Sequence, residues 1–213
     1  LFRSVILQWD GTSWSRSISP TTSDLYGVHF GPTGTGWAVG ADGVTLHYNS
    51  GQWNLVPSAV TQTLRGVWVK DSETAWAVGD GGTIIKWDGT RWQQQSSGTQ
   101  SDLYAITGYG RDRLWAVGAD GTVLIGQSGK WERFEAVPKT SATLRAVDAD
   151  HGGGVWIVGD KGLIWNKKGF GKSAFEVVSS GTSASLLSLN RQNARCVRAV
   201  GQSGTDLLLT SAK

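Results

Sequence analysis

Apolar residues in this chain fall in short runs rich in Val, Ile, Trp and Tyr, separated by Asp-Gly or Ser-Gly. Leu64–Val69, Thr74–Gly79, Thr83–Trp87 and Arg91–Gln95 follow one another in this way, with Asp71-Ser-Glu, Asp80-Gly-Gly and Asp88-Gly between them. Runs of that length, bounded by residues that tolerate a left-handed backbone, predict antiparallel strands joined by tight hairpins. No segment carries the 3.6-residue period of an amphipathic helix, and 30 glycines would each cost a helix about 1 kcal/mol. The pattern predicts an all-β chain.

The pattern also repeats. Trp-(Ala/Ile)-Val-Gly occurs at Trp37, Trp76, Trp115 and Trp156, each time twelve residues after a leucine: Leu25, Leu64, Leu103 and Leu144. A degraded copy runs from Leu186 to Arg198-Ala-Val-Gly201, and the leucines are 39, 39, 41 and 42 residues apart. Six residues beyond the tryptophan, or beyond Arg198, stands a turn glycine: Gly43, Gly82, Gly121, Gly162 and Gly204. A four-stranded unit of about 40 residues is one blade of a β-propeller.

The expected architecture is one domain, 1–213, of five blades: 25–63, 64–102, 103–143, 144–185, and 186–213 completed by 1–24. Residues 12–17 supply an outer strand with no blade before it, while 186–213 supply inner strands without an outer one. Joining them would close the ring and remove its free edges. Val5–Trp9 and Thr205–Leu209 both align to the third strand, so one is expected to be redundant, or the chain to be a slice of a longer array. With no methionine, an initiator included, an N-terminal piece is expected to have been removed or left out.

Charge and composition narrow the function. The net charge of +3 is mild and scattered, densest at Arg191-Arg195-Arg198 and Lys167-Lys168-Lys172, which argues against nucleic acid as a partner. No run of about 20 apolar residues exists to span a membrane. The one cysteine, Cys196, forms no internal disulfide and is expected to be buried as a small hydrophobe on a second strand.

Candidate chemistry is sparse. His29, His47 and His151 stand in different units without metal-ligand spacing, Glu132 and Glu135 flank one outer strand, and Gly152-Gly-Gly154 is read as a blade loop. Neither catalytic residues, a metal nor a cofactor is expected, because near-identical blades do not bring unlike residues together. The repeat tryptophans read as packing between blades or as sugar platforms. The outer-strand set, Trp14, Trp53, Trp92 and Trp131, is expected to pack on Trp9, Tyr48 or Trp87 of the preceding strand. The residue after each repeat leucine gives the candidate ligand-binding set: Tyr26, Arg65, Tyr104 and Arg145, with Leu187 last. On an innermost strand these would line the mouth of the ring and suit an anionic partner, or stack between blades. Asp42, Asp80, Asp120 and Asp160 are read as turn residues. Phe170-Gly-Lys172, inserted before an outer strand, and Arg198 mark either drift at the array's end or a unique partner contact.

The segment Trp76-Ala-Val-Gly-Asp-Gly-Gly-Thr-Ile-Ile-Lys-Trp-Asp-Gly-Thr-Arg-Trp92 resembles the repeats of bacterial propellers related to the photosystem II stability and assembly factors and the BNR-like proteins. That resemblance implies an exported or periplasmic, non-catalytic protein that holds a protein or peptide partner on one face. Tectonin and tachylectin-type lectins are a second resemblance, and imply glycans bound in repeated clefts between blades. The Asp-box of sialidases, Ser-x-Asp-x-Gly-x-x-Trp, is one residue longer than Asp88-Gly-Thr-Arg-Trp92, and no enzyme is expected.

Overall fold

The computed structural model describes residues 4–110, 113–171, 173–193 and 196–210. Arg195 and Lys172, part of the basic clusters and of the insertion, lie outside the described residues. The described chain is all-β apart from short 3₁₀ turns, and divides into two compact units, Leu1–Gln95 and Ser96–Lys213.

The first unit holds a two-stranded sheet, β1 (Ile6–Trp9) and β2 (Trp14–Ser17), and two antiparallel four-stranded sheets. These are β3 (Leu25–Phe30), β4 (Gly36–Gly40), β5 (Thr45–Asn49) and β6 (Gln52–Val56), then β7 (Leu64–Val69), β8 (Ala75–Gly79), β9 (Ile84–Trp87) and β10 (Trp92–Gln95). The second unit repeats the scheme with β11 (Leu103–Tyr109), β12 (Arg113–Gly118), β13 (Val123–Gln127) and β14 (Lys130–Arg133). Next come β15 (Leu144–Ala149), β16 (Val155–Gly159), β17 (Ile164–Lys167) and a two-residue β18 (Glu176–Val177). A three-stranded sheet ends it: β19 (Leu186–Asn193), β20 (Cys196–Gly201) and β21 (Asp206–Thr210). Both segments that align to the third strand are therefore strands, β1 paired with β2 and β21 with β20.

Each core lies between successive sheets. Trp37 and Val39 of β4 meet Leu64, Val67 and Val69 of β7, with Trp87 and Trp92 beside them. Trp37 is fully buried, its ring 4.8 Å from that of Trp87 and 4.7 Å from that of Trp92. In the second unit Trp115 packs on Phe134 and Phe175, and Val147, Ile157 and Trp165 complete the cluster. Trp156 is only half-buried. The outer-strand tryptophans find the expected partners across the third hairpin: Trp9 with Trp14, Tyr48 with Trp53, Trp87 with Trp92. Where Gly126 stands in place of that aromatic, the ring of Trp131 fills the space, 2.9 Å from where a Cβ would sit. Cys196 opens β20, paired with Asn193 on one side and Thr210 on the other, and is half-buried rather than buried.

Two positions explain the repeated glycines. The turn glycine follows a second left-handed residue, as in Asp42 (φ 55°) and Gly43 (φ 69°), or Lys161 (φ 58°) and Gly162 (φ 68°). The glycine that ends Trp-Ala-Val-Gly is extended, and close approach requires it. A Cβ on Gly40, Gly79 or Gly118 would lie 2.0 Å from the carbonyl oxygen of Asp24, Thr63 or Asp102. That same oxygen accepts the N–H of Ala41, Asp80 or Ala119 at 2.8–3.0 Å, locking the start of the first strand to the end of the second.

Candidate recognition site

The residue after each repeat leucine occupies a β-bulge. Leu25 pairs with Gly40 and Gly27 with Val39, leaving Tyr26 without an opposite residue. The same register shift falls at Arg65, Tyr104, Arg145 and Leu187. A bulge turns one side chain out of the alternation, so the four candidate residues share a backbone device as well as a sequence position.

The structure joins them in two pairs. In the first unit the guanidinium carbon of Arg65 stands 5.9 Å from the ring centroid of Tyr26. In the second, that of Arg145 stands 5.1 Å from the ring of Tyr104. Each arginine also reaches a carboxylate on its own sheet. Arg65 donates Nε–H to Asp80 Oδ1 and Nη2–H to Asp80 Oδ2, the latter at 3.1 Å. Arg145 donates to Asp160 Oδ1 at 2.9 Å and Oδ2 at 3.0 Å. Hydrogen bonding to Arg145 holds the Asp160 carboxyl below its ordinary range.

All four aspartates lie in the 3₁₀ turns, as read, but at two different positions of the turn. Asp42 and Asp120 occupy the left-handed turn position. Asp80 and Asp160 stand one residue earlier, directly after the glycine, where the tyrosine-bearing units carry Ala41 and Ala119. Arginine thus travels with aspartate, and tyrosine with alanine. Each cluster is a guanidinium stacked on a phenol ring and forked to a carboxylate, and its charges balance. The cationic ring expected for an anionic partner is reduced accordingly.

Tyr26 has a second neighbourhood. With Leu7, Trp9, Trp14, Val28 and Phe30 it lines an apolar groove of about 580 Å³ between the β1–β2 hairpin and the β3–β6 sheet. Val28 is 62 % exposed, whereas the equivalent Val67 on β7, covered by β4, is 7 % exposed. Among the described residues β1 pairs only with β2, so its other edge carries no strand. Periodicity could not show this groove, because Trp9, Trp14 and Val28 match Trp87, Trp92 and Val67, which are buried in the β7–β10 sheet.

Sheets of four antiparallel strands repeated along the chain define a β-propeller-like protein, and solved structures agree. The chain resembles YCF48 from Cyanidioschyzon merolae with a TM-score of 0.74 and 16 % identity, over 95 % of this chain and 71 % of that one. A structure of YCF48 bound to D1 peptide gives 0.71 and 18 %, over 94 % and 70 %. A catalytically inactive virginiamycin B lyase from Staphylococcus aureus with quinupristin gives 0.81 and 16 %, over 95 % and 72 %. The WD40 β-propeller domain of Doa1 gives 0.71 and 12 %, over 88 % and 65 %. At these identities the likeness is one of fold. No protein-family model and no curated protein sequence matches the chain.

Proposed function

We propose that this chain is a non-catalytic recognition propeller of an exported bacterial protein, binding a protein or peptide partner in an extended conformation. Closing a five-bladed ring with the N- and C-terminal strands would cover the free edge of β1; in this reading that edge is left to the partner instead. The observation that carries the proposal is the groove beside Tyr26: aromatic walls, solvent access and an unpaired edge on β1 suit a peptide added as a strand. The Tyr26–Arg65–Asp80 cluster at its end supplies polar specificity. The peptide in the YCF48 complex lends the reading support by analogy of fold, while the lyase shows that likeness of fold alone does not choose between binding and catalysis.

Lectin activity is the alternative. It needs equivalent clefts in every blade, yet Trp53, Trp92 and Trp131 are buried and only Trp14 of that set is open. Panning the chain against a library of extended peptides, with a glycan array in parallel, separates the two. Apolar peptides are expected to bind at one site per chain, and Phe30→Asp to weaken them at least about tenfold, as for loss of a central apolar contact. Glycan binding at several sites per chain, or peptide binding indifferent to Phe30→Asp, would overturn the proposal.

A further inference from the structure

The repeats place like residues at like positions, so a place where unlike residues converge stands out. One lies in the second unit, away from the bulge residues. Tyr109 at the end of β11, Arg113 at the start of β12, Gln127 and Ser128 at the β13–β14 turn, His151 and Phe170 line a cavity of about 350 Å³. That is within the range of small-ligand pockets. Apart from Ser128, which matches Ser50, these residues depart from the repeat: at the position of Tyr109 other units carry Gly31, Lys70 and Asp150, and Phe170 belongs to the insertion.

The walls are held in place. A Cβ on Gly153 would lie 2.7 Å from the backbone of Gly169 and 2.8 Å from Phe170, so the glycine loop exists to seat the inserted loop against it. Asp150 closes the glycine loop by accepting the Gly154 N–H at 2.8 Å, and its other oxygen is turned to Arg191. The rings of His151 and Phe170 stand 6.5 Å and 6.4 Å from that of Tyr109.

Cations dominate this place. Arg113 stacks its guanidinium 5.1 Å from the Phe170 centroid and forms no ion pair with any described residue. Lys167 stands at the point of the third strand where the first unit carries Tyr48 and Trp87. It is 1 % exposed, and its ammonium donates to the Gly169 carbonyl at 2.6 Å. No carboxylate faces it among the described residues, and burial first, then the charge of Arg113, lowers its pKa. Two unpaired cations, one of them buried, raise the local potential and favour an anion between aromatic walls.

We infer that this pocket binds a small organic acid: a carboxylate held by Arg113 and the His151 imidazole, with a flat apolar body lying against the Tyr109 and Phe170 wall. Lys167 acts through its field, since it is too enclosed to touch the ligand.

The test is calorimetry on the whole chain with three probes of one shape, phenylacetate, 2-phenylethanol and phenethylamine. Phenylacetate is expected to bind at one site, and the neutral and cationic probes at least about tenfold more weakly, the scale of one charged hydrogen bond. Arg113→Gln, at a strand end, is expected to remove that preference. Phe170→Ala weakens all three probes. No saturable binding of phenylacetate, equal affinity for the three probes, or a preference that survives Arg113→Gln would each overturn the inference.

Discussion

Arg145 illustrates what one side chain does in this fold. Its planar fork meets both oxygens of Asp160, and its face lies on Tyr104, so a lysine keeps the charge but loses the fork and most of the stack. Both partners are partly open to solvent, which screens the pair, and Arg145→Lys is expected to cost about 1 kcal/mol or less in a denaturant melt. Asp160 gives the sign in acid. A carboxyl held below its ordinary value adds stability above the unfolded pKa, and that stability fades as pH falls through the depressed value. Asp160→Asn should therefore flatten the acid limb below about pH 4. An acid limb as steep as the parent's would show that the ion pair adds no stability. The pairing itself was within reach of the sequence, because Arg65 and Arg145 alone coincide with aspartate directly after the glycine. Grouping the four aspartates by their turn concealed it.

At the level of strands and turns, most boundaries could be read directly: Thr74–Gly79 became β8 (Ala75–Gly79) and Thr83–Trp87 became β9 (Ile84–Trp87). The bulges could not, since register is a property of two strands and alternation within one strand does not reveal it. Nor could the reason for the glycine of Trp-Ala-Val-Gly, which lies in a carbonyl sixteen residues back, Thr63 for Gly79. That reason separates two glycines only two residues apart. Gly79→Ala drives a Cβ into the Thr63 carbonyl and breaks the Asp80 N–H bond, an expected loss of about 3 kcal/mol. Gly81→Asp meets open space at a left-handed position where Asp42 and Asp120 already stand, and should change stability by less than about 1 kcal/mol. Equal losses in chemical denaturation would show that the glycine at position 79 answers to its backbone angles and that the carbonyl can give way.

Across the whole molecule, two units built from one repeat carry opposite responses between pH 7.0 and 5.5, where the depressed Asp160 carboxyl stays ionised, because residues outside the repeat set them. In the first unit His29 accepts the Val69 N–H on Nδ1 at 3.1 Å, tying β3 to β7, and His47 stacks on Trp37 with ring centroids 4.3 Å apart. Burial lowers both pKa values below 6.5, so the unfolded chain takes up protons first. Stability from these groups is complete above about pH 6.5 and is lost as pH falls below it. In the second unit burial raises the pKa of Asp148, which lies beside Arg191. There the folded form binds the proton more readily, and stability from this group rises as pH falls through the raised value. Hydrogen exchange, expressed as protection factors at pH 7.0 and 5.5, is expected to show β3, β4, β5 and β7 opening more easily at the lower pH while β15 and β19 hold. His29→Gln, whose carbonyl oxygen can still accept from Val69 but does not titrate, should reduce the loss in the first unit. Uniform loss of protection across both units would mean that acid acts through charges common to the repeat.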